Sequence, residues 1–193
     1  MRGGSKIVWC VPLLQLLLAC GTTSYEEKVD LFHGSPVRSV LILPFINYSG
    51  VPDADTEVNN VFVAEFKKNS SGRVFGKKDL DNYLRKRGLK KRPIFDRKMA
   101  LTLGRLFKVD SVIYGTILSY MKPVPKSENV YTSLAMNVRV IDIKSGRIIK
   151  AYSLSKDITP SFWTSTRTKF QRTLNDSISH MVSDLLEGGA SWE

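Results

Sequence analysis

Arg38-Ser39-Val40-Leu41-Ile42-Leu43-Pro44-Phe45 is the stretch on which the fold turns. Side chains along a strand point alternately to its two faces, so an unbroken apolar run from Val40 to Leu43 demands burial on both. That is the mark of an interior strand in a sheet covered on either side. Pro44 and the polar run Asn47-Tyr48-Ser49-Gly50 end it in a loop. A second stretch of the same kind, Asp110 to Leu118, lies about seventy residues downstream.

Between the two the apolar period changes. Val58, Val61, Phe62 and Phe66 recur at helical spacing from about Asp55, with Asp and Thr at the start as caps. Arg73 to Phe75 reads as a short strand. Leu80, Tyr83 and Leu84 mark a helix ending at Gly88, and Ala100, Leu103, Leu106 and Phe107 another from about Arg97 to Lys108. Beyond Asp110–Leu118 the period falls to two. Val130, Leu134, Met136, Val138 and Val140 alternate with Tyr131, Ser133, Asn137 and Arg139, which gives a strand with one wet face. Lys144-Ser145-Gly146-Arg147 turns the chain, and Ile148 to Leu154 returns as the hairpin partner. Phe170, Leu174, Ile178, Met181, Val182 and Leu185 then define a long helix, from about Phe162 to Leu186, that Gly188-Gly189 stops. The expected class is α/β in the mixed α+β sense: helices packed on a mixed sheet, with a C-terminal hairpin and a long final helix.

The N-terminus is of another kind. Arg2 and Lys6 precede an apolar stretch from Ile7 to Leu18, too short for a membrane span but suited to an export signal. Leu17-Leu18-Ala19-Cys20 matches the bacterial lipobox, with a small residue before an obligatory cysteine. The expectation is a signal peptide at 1–19, lipidation at Cys20, a tether at 20–36 and one periplasmic domain at 37–193. An ordinary secretory signal that happens to hold a cysteine is the alternative. Against it, Cys10 is lost with the signal, so Cys20 would remain as a lone reactive thiol with no disulfide partner. Two or three acyl chains hold durably where one does not. Gly21 follows the cysteine in place of the aspartate that retains lipoproteins at the inner membrane in enteric bacteria. The outer membrane, on its periplasmic side, is therefore expected.

Charge is uneven. The whole chain carries +11 and the chain from Cys20 on carries +9, yet residues 67–108 alone hold fifteen basic residues against three acids. Arg85-Lys86-Arg87 and Lys90-Lys91-Arg92 are the densest runs. A solvated helix face explains such runs, and so does a contact surface for an anion. Export excludes nucleic acid, leaving peptidoglycan, anionic lipid or an acidic protein as candidates.

Catalysis finds little footing. His33 falls in the tether and His180 in the last helix. No metal-ligand spacing, phosphate loop or nucleophile motif occurs. Asp110 and Asp142 fit strand-end and turn roles. Phe162-Trp163 suits either a partner anchor or a core contact. No metal and no cofactor other than the lipid on Cys20 is expected.

Three segments in order resemble a known superfamily. Val40 to Gly50 resembles the opening of the curli-secretion-channel lipoproteins and of the lipoprotein activators of penicillin-binding proteins. Leu103-Gly104-Arg105 leading into Val109-Asp110-Ser111-Val112-Ile113-Tyr114-Gly115-Thr116 resembles their helix-to-strand passage, and Val140 to Ile149 their recurrent Asp-and-Gly hairpin. The resemblance spans about residues 37–187. It implies a membrane-anchored periplasmic domain that binds an envelope protein partner, with oligomerisation open. The expected function is thus a non-enzymatic interaction and assembly module of the cell envelope. The alternatives are an envelope enzyme with an Asp/Glu site, or a subunit of a secretion channel. A channel subunit needs extra membrane-crossing hairpins, and one hairpin here approaches the required length.

Overall fold

Val40 to Leu43 are indeed interior: each is at most 1% exposed in the computed structural model. The structure describes residues 24–30, 38–88, 95–122, 132–158 and 166–186. In chain order these form β1 (Ser24–Asp30), β2 (Ser39–Ile42), β3 (Ile46–Asn47), α1 (Ala54–Asn69), β4 (Arg73–Phe75), α2 (Lys77–Lys86), α3 (Arg97–Phe107), β5 (Ser111–Met121), β6 (Thr132–Asp142), β7 (Ile148–Ile158) and α4 (Thr166–Leu186). All lie in one α+β arrangement, a seven-stranded mixed sheet in the order β1-β7-β6-β5-β2-β4, with β3 also on β5.

The pairing splits the sheet at β5. On one side β5, β2 and β4 run parallel; on the other β5, β6, β7 and β1 are antiparallel neighbours. Helices cover the parallel half on both faces. Phe62 and Phe66 of α1 join Ile42, Ile113 and the α4 residues Leu174 and Ile178 in one core. Leu80 and Leu84 of α2 and Leu103 of α3 join Leu41, Leu43 and Val112 in the other. Adjacent residues of one strand therefore serve opposite cores, which is why the unbroken apolar run is needed.

Local chemistry fixes the joints. Gly76 N–H donates to Asp79 Oδ2 at 2.9 Å to open α2, and Met99 N–H donates to Asp96 Oδ1 at 2.8 Å to open α3. α1 opens differently: Asp53 sits at φ 61° and makes no side-chain cap, so the acidic and threonine caps expected there do not form. A Cβ at Gly115 would meet the Asn137 carbonyl oxygen at 2.4 Å, and one at Gly104 would meet Ile143 and Val112 at 2.3–2.8 Å. Both glycines are required by close approach, of strand to strand and of α3 to the sheet.

Two boundaries differ from expectation. Ser24–Asp30, read as part of the tether, is a strand on the edge of β7, in register from Ser24↔Lys156 to Asp30↔Lys150. Its sequence SYEEKVD has no apolar alternation. Its main chain pairs along the edge of β7, and composition does not reveal that. β7 likewise runs on to Ile158, four residues past the expected Leu154. The expected start of the last helix, Phe162-Trp163, lies outside the described residues, as do His33 and Gly188-Gly189.

Candidate functional site

Arg85, Lys86 and Arg87 close α2 on the surface, all exposed. Arg87 stacks over the Tyr83 ring at 5.6 Å, and Arg85 donates to Asn82 Oδ1 at 2.9 Å. Lys90, Lys91 and Arg92 lie outside the described residues, and so does Cys20. The first basic run thus stands where the sequence put it, on the polar end of a short helix.

Asp110 and Asp142 are occupied by structure. Asp110 Oδ2 accepts from Ser39 Oγ at 2.7 Å while its own N–H donates to that same hydroxyl at 3.0 Å, locking the starts of β2 and β5 together. Asp142 Oδ2 accepts from Ser145 N–H at 2.7 Å inside the β6–β7 turn, where Gly146 takes φ +69°. His180 Nδ1 lies 3.3 Å from Tyr152 Oη and 3.7 Å from an Asp184 carboxylate oxygen, with its side chain mostly exposed. Among the described residues no three His, Cys, Asp or Glu side chains gather as a metal site, and no helix is long and apolar enough to cross a membrane.

Asn47 organises the loop after the first interior strand. Its Oδ1 accepts from Ser49 N–H at 3.0 Å and its Nδ2 donates to the Val51 carbonyl at 2.7 Å. That leaves Tyr48 exposed at the rim. Nearby, Tyr120 Oη is buried without a hydrogen-bond partner. Burial first, and then the Glu57 carboxylate, hold this hydroxyl protonated far above the ordinary tyrosine range. Lys122 pairs with Glu57 and lies 5.3 Å from the Tyr120 ring centre.

The feature of largest extent is the one the sequence named only as a wet face. In β6, Leu134, Met136 and Val138 are fully buried under α4, while Ser133, Ala135, Asn137 and Arg139 between them are not. Their register neighbours continue the pattern: Ser119, Ala135 and Ser155 form one row across three strands, and Thr116, Asn137 and Ser153 the next. The Ser119 and Ser133 hydroxyls bond to each other on this face. The α2–α3 core reaches only as far as Tyr114 on β5, whose pKa burial raises against the opposing effect of Arg139 across the strand pair. Past that point the face is bare of every described element. Small and polar side chains cover it, with Leu118 and Met121 exposed at its β5 border. The alternation in the sequence located the face; what it could not show is that none of the described helices covers it.

The comparisons with known proteins agree on the architecture. No family model and no curated protein matches the chain. Solved structures do. The chain is similar to the PelC dodecamer from Paraburkholderia phytofirmans, with a TM-score of 0.61 and 13% identity over 85% of this chain and 98% of that one. It is similar to lipoprotein GNA1162 from Neisseria meningitidis, with a TM-score of 0.53 and 16% identity over 75% of this chain and 98% of that one. It also aligns with the LpoB C-terminal domain from Escherichia coli, at a TM-score of 0.47 and 16% identity, over 66% and 87% of the two chains. At such identities the first two likenesses establish the fold alone.

Proposed function

We propose that this chain is an exported lipoprotein, anchored through Cys20 to the periplasmic side of the outer membrane, that works without catalysis as an interaction and assembly module of the cell envelope. Its working surface is the bare face of β5, β6 and β7, and the partner it takes there is a further copy of itself. The observation that carries this reading is the burial alternation along β6, which leaves a small-residue surface over three long strands with no described element packed on it. Such a face admits close approach of another surface at little desolvation cost, because its hydroxyls and amides can be satisfied across the interface. The similarity to a protein solved as a dodecamer supports self-assembly, and the lipobox supports the anchor.

The test has two arms. Full-length protein made with labelled palmitate should carry the label, and Cys20→Ser should lose it and leave the membrane fraction. Detergent-purified protein should then show a mass several times that of the 21.7 kDa chain. Label on the Cys20→Ser variant sinks the anchor; a single-chain mass at micromolar concentration sinks the assembly.

A further inference from the structure

Strand directions give the domain two unlike ends. β1 begins at Ser24, opposite Lys156 near the finish of β7, so the chain enters the sheet at the end where β5 and β7 stop. Cys20 is four residues earlier, a reach of at most about 14 Å. This is the anchor end. The other end holds the starts of β2, β4 and β5, the β6–β7 turn and the C-terminus of α1, which begins toward the anchor end, where Glu57 meets Lys122, and runs back; α2 ends close by, with Tyr83 near its end packed on Phe107 just before β5 begins. Along the eleven residues of β6 the two ends stand roughly 34 Å apart.

Positive charge collects at the turn end. Lys67 and Lys68 close α1 on one face of the sheet, Arg85 and Lys86 close α2 on the other, and Lys144 and Arg147 stand in the turn between; all six are exposed. The described carboxylates here are engaged: Asp110 with Ser39, Asp142 within its turn, Glu65 with Lys68 at 3.5 Å, and Asp184, at the end of α4, 3.7 Å from His180 Nδ1. Cations at helix C-termini complement the dipole, which accounts for the α1 and α2 groups. It does not account for the turn.

We infer that this basic cap faces away from the bilayer and binds the carboxylate-bearing glycan-peptide polymer of the cell wall. The orientation rests on the lipid anchor proposed above. Because the cations lie on both faces and on the rim between, only a ligand beyond the end can meet them all; a domain lying flat on the membrane would present a part. The separation of roughly 34 Å is about four Debye lengths at physiological salt, so an upright cap is outside the field of the headgroups. A protein partner is disfavoured by what the cap lacks. Among the described residues, Leu106 apart, the exposed large apolar side chains Tyr25, Tyr48, Leu118 and Met121 lie toward the anchor end, so the described part of the cap offers charge without an apolar anchor. A hydrated polyanion suits that surface.

The test uses full-length protein in mild detergent and purified peptidoglycan sacculi. The protein should pellet with sacculi at low salt and be released at high salt. Joint reversal, Arg85→Glu, Lys86→Glu, Lys144→Glu and Arg147→Glu, should lower the bound fraction about tenfold, because binding here is a screened charge interaction. The corresponding Gln set, checked for an unchanged melting curve, should lower it less. A control reversing Arg167 and Arg172, in the first turns of α4 toward the anchor end, should bind as the parent does. Absence of pelleting, salt-independent pelleting, or equal loss in the control overturns the proposal. A second arm reconstitutes the protein into neutral phosphatidylcholine vesicles and into vesicles one-quarter phosphatidylglycerol (about 25%, an anionic surface). Soluble peptidoglycan fragments should be captured equally by both. Capture from the neutral vesicles alone means that the cap lies on the bilayer and overturns the proposal. Failure of the protein to float with either vesicle indicts the anchor instead, and the sacculus arm still decides the cap.

Discussion

The two halves of the sheet share β5 and differ in almost everything else. In the parallel half, β2 is buried at all four of its positions, with α1 and α4 on one face and α2 and α3 on the other. In the antiparallel half the same α4 packs on one face of β6 and β7, and none of the described elements packs on the other past Tyr114. One half invests its side chains in stability. The other leaves a surface of serine, threonine, asparagine and alanine, with Arg139 beside Tyr114, that adds little to stability. A fold of this kind separates the two tasks by position in the sheet, so substitutions in the two halves should fail in different ways.

The largest effect is expected in the doubly covered half. Phe62 is fully buried, edge-on to Phe45 at 5.2 Å between ring centres and stacked with Phe66 at 6.2 Å. Phe62→Ala should cost about 3–5 kcal/mol, since the lost transfer energy adds to an unfilled cavity. Chemical denaturation of the parent and variant measures it. A cost under about 1 kcal/mol, at the bottom of the range for core truncations, would show that the α1 layer is not the stabilising one.

How legible this division was depends on which physics each half obeys. Val40 to Leu43 and Val112 to Tyr114 announced double burial because consecutive apolar residues have no other use in a strand. The α2 and α3 helices, the Gly146 turn and the hairpin were readable from spacing for the same local reasons. β1 was not, because an edge strand is held by main-chain bonds that any side chain permits, and its charged sequence gave a tether instead. The bare face was half legible: alternation showed that it was wet, but whether a helix returns to cover it is a matter of topology. Of the basic runs, spacing correctly put Arg85 to Arg87 on a helix end, yet that this end lies opposite the anchor follows only from strand direction.

A smaller effect sits where the halves meet the anchor end. Tyr120 belongs to β5, its ring edge-on to Phe170 at 5.2 Å, and its hydroxyl is buried beside Glu57. The fold raises its pKa, so it favours the protonated form. That contribution is complete below about pH 10, the ordinary tyrosine value, and is lost as the pH climbs past it. Tyr120→Phe should therefore change stability at pH 8 by no more than about 1 kcal/mol, since the hydroxyl has no partner to lose. Between pH 10 and 11 the parent should lose up to about 1.4 kcal/mol that the variant keeps. Parallel melting curves across that range decide it; identical alkaline losses would mean that Tyr120 ionises freely in the folded state.

The smallest effect on stability should come from the bare face, and there it should bring the largest change in assembly. Ala135 lies in the row between Ser119 and Ser155, and Ser153 in the row with Asn137 and Thr116. Both side chains are partly exposed, so Ala135→Glu and Ser153→Glu should each leave the melting free energy within about 0.5 kcal/mol. A carboxylate in the middle of a flat interface between copies has a different fate. Two of them would face a surface that buries polar groups only when paired, and like charges brought together there cost far more than on a wet face. Each variant should consequently run as a single chain at concentrations where the parent is assembled. A variant that melts well below the parent would show that the face is core, covered by some part of the chain outside the described residues. A variant that melts normally and still assembles would move the interface off β5–β7, leaving the β1 edge, with its outer row of backbone groups, as the next surface to block.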